Sequence, residues 1–239
     1  MTLRRRSLAV SSLLVAGTFG MSACSATARR AAPSESASIA PDLGRIADVT
    51  VWRVVNGEVR ATDEGGKRVA RLSPVGGNRK GSNVAMALVQ GEELAEGTFE
   101  VDLRGDPEGK ASFVGVAFGV SDGGAHEAVY FRPFNFRAED PVRRAHAVQY
   151  VAWPDATWEK LRAEKTGIYE TAVAPVPEPT GWFHARVEVT AGRVTVFVNG
   201  SDRPCLSVDR LGVTRKGGVG LWVDSQEGSF AGFRIQRRQ

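Results

Sequence analysis

Side chains able to bind a hydroxylated ligand are concentrated in one stretch of the chain, residues 126–170. On a β-strand, Tyr130 and Arg132 share one face, because side chains alternate between the two faces. His146 and Tyr150 likewise share one face of a later strand. These four residues offer a guanidinium, hydrogen-bonding groups and flat rings, which suit a sugar ligand. We therefore predict a binding site where the His, Tyr and Arg side chains meet on one face of a sheet.

A structural role would also explain these residues. Tyr130 and Tyr150 could lie at the edge of a core, with Arg132 paired to Asp140. A similar alternative concerns the loop over 135–144, in which Arg143 and Arg144 could brace the chain through Asp140 and Glu139. Only the clustering of the residues favours a site.

The elements that must position these residues are short strands. Runs rich in valine and aromatic residues predict strands over 112–120, 126–134 and 145–153. The link over 135–144 is too long for a tight hairpin and contains three arginines, which is typical of a functional loop. A short helix is expected over 157–165, and this is the one segment with a helical pattern.

Strand patterns continue along the rest of the chain. The pair Asn56-Gly57 within 48–62 predicts a hairpin, and Ala191-Gly192 should join two strands within 182–200. About a dozen short strands with frequent turns predict an all-β fold, a β-sandwich of two antiparallel sheets.

The N-terminal residues have the pattern of an export signal. Residues 1–23 combine an arginine head with an apolar run too short to span a bilayer, and Met21-Ser22-Ala23-Cys24 resembles a lipobox. We therefore expect a lipoprotein signal peptide over 1–23, lipidation of Cys24, a flexible tether over 24–41 and one domain over 42–239. The arginine run leaves twin-arginine and general export both open.

Composition excludes several classes of function. The chain carries a formal charge of +4, and leaving out Arg4, Arg5 and Arg6 reduces it to about +1. No basic cluster typical of a nucleic-acid partner remains.

With Cys24 lipidated, Cys205 has no partner for an intramolecular disulfide. We expect neither a cofactor nor a metal site, because the three histidines lack ligand spacing, although calcium near Asp224 stays open.

Residues 130–170 resemble a bacterial, mostly exported group within or beside the 3-keto-disaccharide hydrolase domain family. The similarity is carried by Tyr130, Arg132, Pro133, Asn135, Asp140, Arg143, Arg144, His146, Gln149, Tyr150, Trp158, Leu161, Arg162, Tyr169 and Glu170. Together with the closing strands over 182–236, it implies a concanavalin A-like jelly roll. It also implies a sugar-directed activity, with a carbohydrate or glycoside as partner and with the membrane contacted only through the N-terminal lipid.

Two carboxylates spaced as in a retaining glycosidase are not found, since the run from Glu100 and Asp102 ends in Gly105. A 3-keto-glycoside can instead lose its aglycone by elimination, which needs a base, an acid and an oxyanion donor. The candidate catalytic residues are His146, Glu170 and Glu127. The candidate ligand-binding residues are Tyr130, Arg132, Asn135, Asp140, Arg143, Gln149, Tyr150, Trp158 and Arg162.

Three functions follow from these patterns. The first is carbohydrate binding by a membrane-tethered jelly-roll domain outside the cytoplasm. The second is hydrolysis or elimination of 3-keto-glycosides in the same cleft. The third is a scaffold that binds another surface protein, because the fold alone does not specify a partner.

Overall fold

Two antiparallel sheets form most of the chain that the computed structural model describes, which is residues 38–76, 83–212 and 216–238. The eight-stranded sheet contains β1 (Ser38–Ile39), β3 (Gly57–Glu64), β4 (Lys67–Pro74), β6 (Gly97–Arg104), β11 (Phe183–Val189), β12 (Arg193–Val198), β13 (Leu206–Asp209) and β15 (Gly228–Arg237). The seven-stranded sheet contains β2 (Trp52–Val55), β5 (Ala85–Leu94), β7 (Phe113–Val120), β8 (His126–Phe131), β9 (Val148–Trp153), β10 (Glu170–Thr171) and β14 (Gly217–Asp224).

Helices are short. Among the described residues, α1 (Pro141–Arg144) and α2 (Trp158–Glu164) are α-helices, and Leu43–Arg45 and Pro133–Asn135 are single 3-10 turns. In this part of the chain, no helix is long and apolar enough to cross a membrane.

The core fills the space between the two sheets. Period-two alternation turns one face of each strand inward, so that β6 alternates buried and half-buried residues along its whole length. Phe99 of β6 stacks on Phe118 of β7 with 5.7 Å between ring centroids, and Phe131 meets Phe183 edge to face at 5.0 Å. Glu100 and Asp102 lie half-buried on the outer face of β6.

The central part of the seven-stranded sheet follows the order β9, β8, β7, β14. Its register places Tyr130 opposite Gly115 on one side and Gln149 on the other, while Trp222 also lies opposite Gly115. Residues Tyr130, Gln149 and Trp222 therefore share the outer face of this sheet. Phe131, Phe118 and their neighbours face the core.

The predicted hairpin at Asn56-Gly57 is wrong. β2 pairs with β5 in one sheet, whereas β3 pairs with β4 in the other, so the chain passes from sheet to sheet at this dipeptide. Asn56 adopts a left-handed conformation with φ 52°, and a Cβ on Gly57 would lie 2.8 Å from the Cβ of Ala85. The dipeptide therefore makes a tight crossing between the layers.

Other local predictions agree with the structure in part. β11 and β12 form the predicted hairpin around Ala191-Gly192, and α2 lies within the predicted helix over 157–165. The two strands beside the loop are shorter than predicted, because Pro133 starts a 3-10 turn and α1 occupies the chain up to Arg144. At the start of the described chain, Ser38 and Ile39 pair with β15.

Candidate functional site

A pair of stacked aromatic rings forms the floor of a cavity on the outer face of the seven-stranded sheet. Tyr130 and Trp222 lie 4.7 Å apart between ring centroids, in nearly parallel planes. They can stack because Gly115 lies between them on β7 and has no side chain. Phe113 adds an edge contact to Tyr130 at 6.0 Å.

The cavity has a volume of about 470 Å³. Its lining is contributed by β7, β8, β9, β14, α2 and the loop before β9, through Phe113, Tyr130, Arg132, Phe134, Asn135, Arg143, His146, Trp153, Trp158, Glu159, Arg162, Trp222, Asp224 and Ser225. Both its size and its aromatic walls are typical of small-ligand sites.

Arg132 is buried in the wall of the cavity and is held by neutral groups. Its guanidinium donates to Gln149 Oε1 at 2.7 Å, to the Tyr130 hydroxyl at 3.1 Å and to the His146 carbonyl at 2.8 Å. Burial lowers the pKa of Arg132, partly offset by the nearby charge of Glu170. The predicted alternative pairing with Asp140 is wrong, since the carboxylate near Arg132 is Glu170, at 3.6 Å.

Glu170 lies behind the wall, where it joins three lining residues. Arg162 donates to both of its oxygens, at 2.8 Å and 2.7 Å, and His146 Nδ1 lies 2.9 Å from Oε2. Burial raises the pKa of Glu170, but the hydrogen bonds and charge of Arg162, with the charges of His146 and Arg132, lower it below its ordinary value. Glu170 is therefore a carboxylate at neutral pH.

The loop before β9 brings Arg143 to the cavity. Asp140 caps α1 by accepting a hydrogen bond from Val142 N at 2.8 Å, and it is followed by Pro141 at the first helical position. Arg143 then points to the cavity and donates to Asn135 Oδ1 at 3.3 Å. Asp140 itself does not line the cavity, so its predicted ligand contact has no geometric support.

Arg144 has the bracing role that the sequence left open. It donates to the backbone carbonyls of Ala138 and Glu139, at 2.6 Å and 2.7 Å. The brace therefore uses the main chain of the loop and includes Glu139, one of the two predicted partners.

Helix α2 supplies the rim. Thr157 caps its first turn, and the helix turns Leu161 into the core. On its other side, the Arg162 guanidinium lies over the Trp158 ring at 4.8 Å, and Trp158 is 37% exposed.

An acid on β14 also lines the cavity. Asp224 accepts from the backbone N–H of Asn83 at 3.1 Å and from the Ser225 hydroxyl at 3.2 Å. Burial raises its pKa. Two buried donors near the floor, Trp222 Nε1 and Gln149 Nε2, make no hydrogen bond to any described residue.

Tyr150 and Glu127 lie away from the cavity. Tyr150 pairs with Val129 rather than with Tyr130, so the prediction that it shares a face with Tyr130 is wrong. Its hydroxyl donates to Glu127 Oε2 at 2.5 Å, and Arg210 pairs with Glu127 at 2.6 Å in a buried cluster at the end of the core. Burial and the adjacent Glu127 raise the pKa of Tyr150.

The predicted residues therefore separate into three groups. Seven line the cavity, namely Tyr130, Arg132, Asn135, Arg143, His146, Trp158 and Arg162. Glu170 and Gln149 lie behind the wall, in contact with lining residues, and Asp140, Tyr150 and Glu127 lie elsewhere.

Sequence reasoning missed the contribution of β7 and β14. Phe113 lies on the strand predicted over 112–120, whereas Trp222 and Asp224 come from a strand far along the chain. Only the register brings these residues beside Tyr130 and Arg132. One signal was present in the sequence, since Gly115 interrupts a run of large residues where two rings need space.

Solved structures share this architecture. A carbohydrate-binding module, CBM66, from Bacillus subtilis aligns with TM-score 0.51 at 16% identity, over 78% of this chain and 96% of that one. The fold is a concanavalin A-like jelly roll. A Bacillus subtilis protein of unknown function with a galectin-like fold aligns with TM-score 0.55 at 15% identity, over 85% of this chain and 97% of that one.

An enzyme also has this jelly roll. The β-glucanase of Bacillus licheniformis aligns with TM-score 0.50 at 10% identity, over 87% of this chain and all of that one. No protein-family signature and no curated protein matches the sequence. At such identities the likeness concerns the fold alone.

Proposed function

We propose that this jelly-roll domain binds carbohydrate in the cavity on the outer face of the seven-stranded sheet. The observation that carries the proposal is the convergence of the exposed Trp158 ring with Arg143 and His146 in one open hollow, above a floor formed by the buried Tyr130–Trp222 pair. Flat rings pack on the apolar faces of sugars, and guanidinium and imidazole groups bond to their hydroxyls. CBM66, which shares the fold, is a carbohydrate-binding module, and this supports the same class of ligand here.

Binding can be tested on a glycan array with millimolar sensitivity, followed by calorimetry on each hit. Trp158→Ala and Arg143→Ala should weaken every hit at least tenfold, because both side chains line the cavity. Arg193→Ala is the matched control, because Arg193 forms an exposed pair with Asp209 on the other sheet. An array without a hit, or equal losses in the control, would count against the proposal.

A second candidate is an enzyme acting on 3-keto-glycosides. It is favoured by the 2.9 Å contact between His146 and Glu170, together with the sequence resemblance over 130–170. In this scheme His146, which lines the cavity, takes the proton next to the ketone. Glu170 lies behind the imidazole at ion-pair distance, and Arg132 or Arg143 stabilises the enolate oxygen. Collapse of the enolate breaks the glycosidic C–O bond, and the aglycone oxygen leaves with the proton returned by the His146 imidazolium.

The enzyme candidate predicts measurable turnover of a 3-keto-disaccharide. His146→Ala and Glu170→Ala should abolish it, while Trp158→Ala should mainly raise KM. If the wild-type protein binds sugar but shows no turnover, the enzyme candidate is excluded and the binding function stands.

We further propose that the domain is lipid-tethered outside the cytoplasm, on the sequence pattern of residues 1–23 and Cys24, which lie outside the described residues. Expressed with its full N-terminal region in bacteria, the wild-type chain should partition into detergent and carry acyl groups by mass spectrometry. Cys24→Ala should remain in the aqueous phase. Equal partitioning of the two would contradict tethering.

A further inference from the structure

The charges of the cavity are unevenly distributed. Three guanidinium groups, those of Arg132, Arg143 and Arg162, line the cavity, and we call this part of its lining the arginine wall. The carboxylate adjoining that wall is Glu170, and both of its oxygens are occupied by Arg162. Glu159 also lines the cavity and its charge acts on Arg162, so positive charge exceeds negative charge at this wall by one, before any charge on His146 is counted.

Free hydrogen-bond donors point to the same wall. Arg143 uses Nε for the neutral Asn135 amide, and its two terminal nitrogens have no partner among the described residues. Arg162 uses Nε and one terminal nitrogen for Glu170, which leaves its Nη1 without a partner in that part of the chain. A planar fork of donors on Arg143 matches the two oxygens of a carboxylate.

The two lining acids are on other elements than Arg132 and Arg143, although the charge of Asp224 still acts on Arg132. Asp224 is on β14 and Arg132 follows β8, two strand spacings apart across β7, or about 10 Å. Glu159 is exposed at the rim on α2. An anionic group would therefore be attracted to the arginine wall, with the rest of the ligand extending over the aromatic floor towards Asp224.

We propose that the sugar ligand is acidic, with a carboxylate such as that of a uronic acid held by Arg143 and Arg162. This inference rests on the proposed carbohydrate-binding function and specifies its ligand. The ring of the sugar packs against the exposed Trp158 ring, and Asp224 accepts from its hydroxyls deeper in the cavity.

Matched pairs of ligands test the inference by calorimetry. Suitable probes are oligogalacturonides against their methyl esters, and glucuronides against the corresponding glucosides, because each pair differs chiefly in charge. The acidic member should bind at least tenfold tighter at low salt, and rising salt should reduce the difference. Arg143→Gln should remove most of the difference, whereas Arg193→Gln should preserve it.

The outcomes distinguish the acidic ligand from the more general proposal that the domain binds carbohydrate. Equal binding within each pair, or tighter binding of the neutral member, would overturn the acidic ligand while leaving carbohydrate binding intact. If neither member of any pair binds, the acidic-ligand inference is overturned. A glycan array without a hit would overturn carbohydrate binding as well. A preference for acid that survives Arg143→Gln would overturn the assignment to this wall.

Discussion

At the scale of single residues, charge and hydrogen bonding separate the cavity from the core. Glu170 and Glu127 are both buried carboxylates paired with arginine, but Glu170 joins residues that line the cavity, whereas Glu127 joins Tyr150 inside the sandwich. The sequence cannot distinguish them, because which face of β9 meets Tyr130 depends on the pairing register rather than on local alternation.

Tyr150→Phe should destabilise the protein without affecting the ligand. The hydroxyl donates to Glu127 and accepts from the backbone N–H groups of Leu211 and Gly212, at 3.0 Å and 3.2 Å. Its loss should cost about 1–3 kcal/mol of unfolding free energy in urea titrations. Tyr130→Phe is the comparison, because the Tyr130 hydroxyl bonds to Arg132 in the cavity wall. Of the two variants, only Tyr130→Phe should weaken sugar binding. Weaker binding by Tyr150→Phe would contradict the assignment of Tyr150 to the core.

Glu170→Gln should reduce the free energy of unfolding by about 2–4 kcal/mol at pH 7, because Arg132 and Arg162 lose their buried countercharge. The pKa of Glu170 is lower in the folded chain than its ordinary value of 4.5. Its contribution is therefore present above about pH 4.5 and is lost as the pH falls through the folded-state pKa.

Urea titrations from pH 7 to pH 3 should show the wild type and Glu170→Gln converging at the acidic end. Glu159→Gln, an exposed neighbour on α2, is the control and should follow the wild type throughout. A constant difference between the wild type and Glu170→Gln across this range would show that the carboxylate is not the stabilising group.

At the scale of elements, the sequence predicts local structure, but it does not predict which strands pair with each other. The alternation of β11 and β12 predicts their hairpin. Thr157, placed just before the apolar pattern of α2, is a typical helix N-cap residue. The hairpin prediction at Asn56-Gly57 is wrong, because the same dipeptide can form either a hairpin turn or a crossing between sheets. Within the predicted loop, Asp140 followed by Pro141 forms the start of α1, an N-cap and a first helical position that local sequence can specify.

Gly115→Ala tests the register that builds the floor. A Cβ at this position would lie 2.1 Å from the Val129 carbonyl oxygen and 2.6 Å from Tyr130 Cα. We expect a loss of about 3 kcal/mol or more in unfolding free energy, with sugar affinity lowered in any folded fraction. Gly192→Ala is the matched control, because its Cβ would meet nothing within 4 Å. An unchanged stability of Gly115→Ala would contradict the pairing of β7 with β8.

At the scale of the whole molecule, the site depends on contacts between distant parts of the chain. β7 lies between β8, which follows it directly, and β14, which lies about a hundred residues further on. An all-β sandwich could be predicted from strand periodicity, and the jelly roll from the resemblance. The full cavity could not, because Trp222 and Asp224 reach it only through this long-range pairing.

The central claim is that sugar occupies the cavity, and the five tryptophans allow a direct test. Trp153, Trp158 and Trp222 line the cavity, whereas Trp52 is in the core and Trp182 lies beneath Lys67 and Arg104. The measurement is a ¹H–¹⁵N NMR titration of the indole N–H signals with a panel of neutral and acidic mono- and disaccharides. We predict shifts for the three lining tryptophans and none for the other two. Shifts confined to Trp52 or Trp182, or no shift with any sugar, would contradict the account.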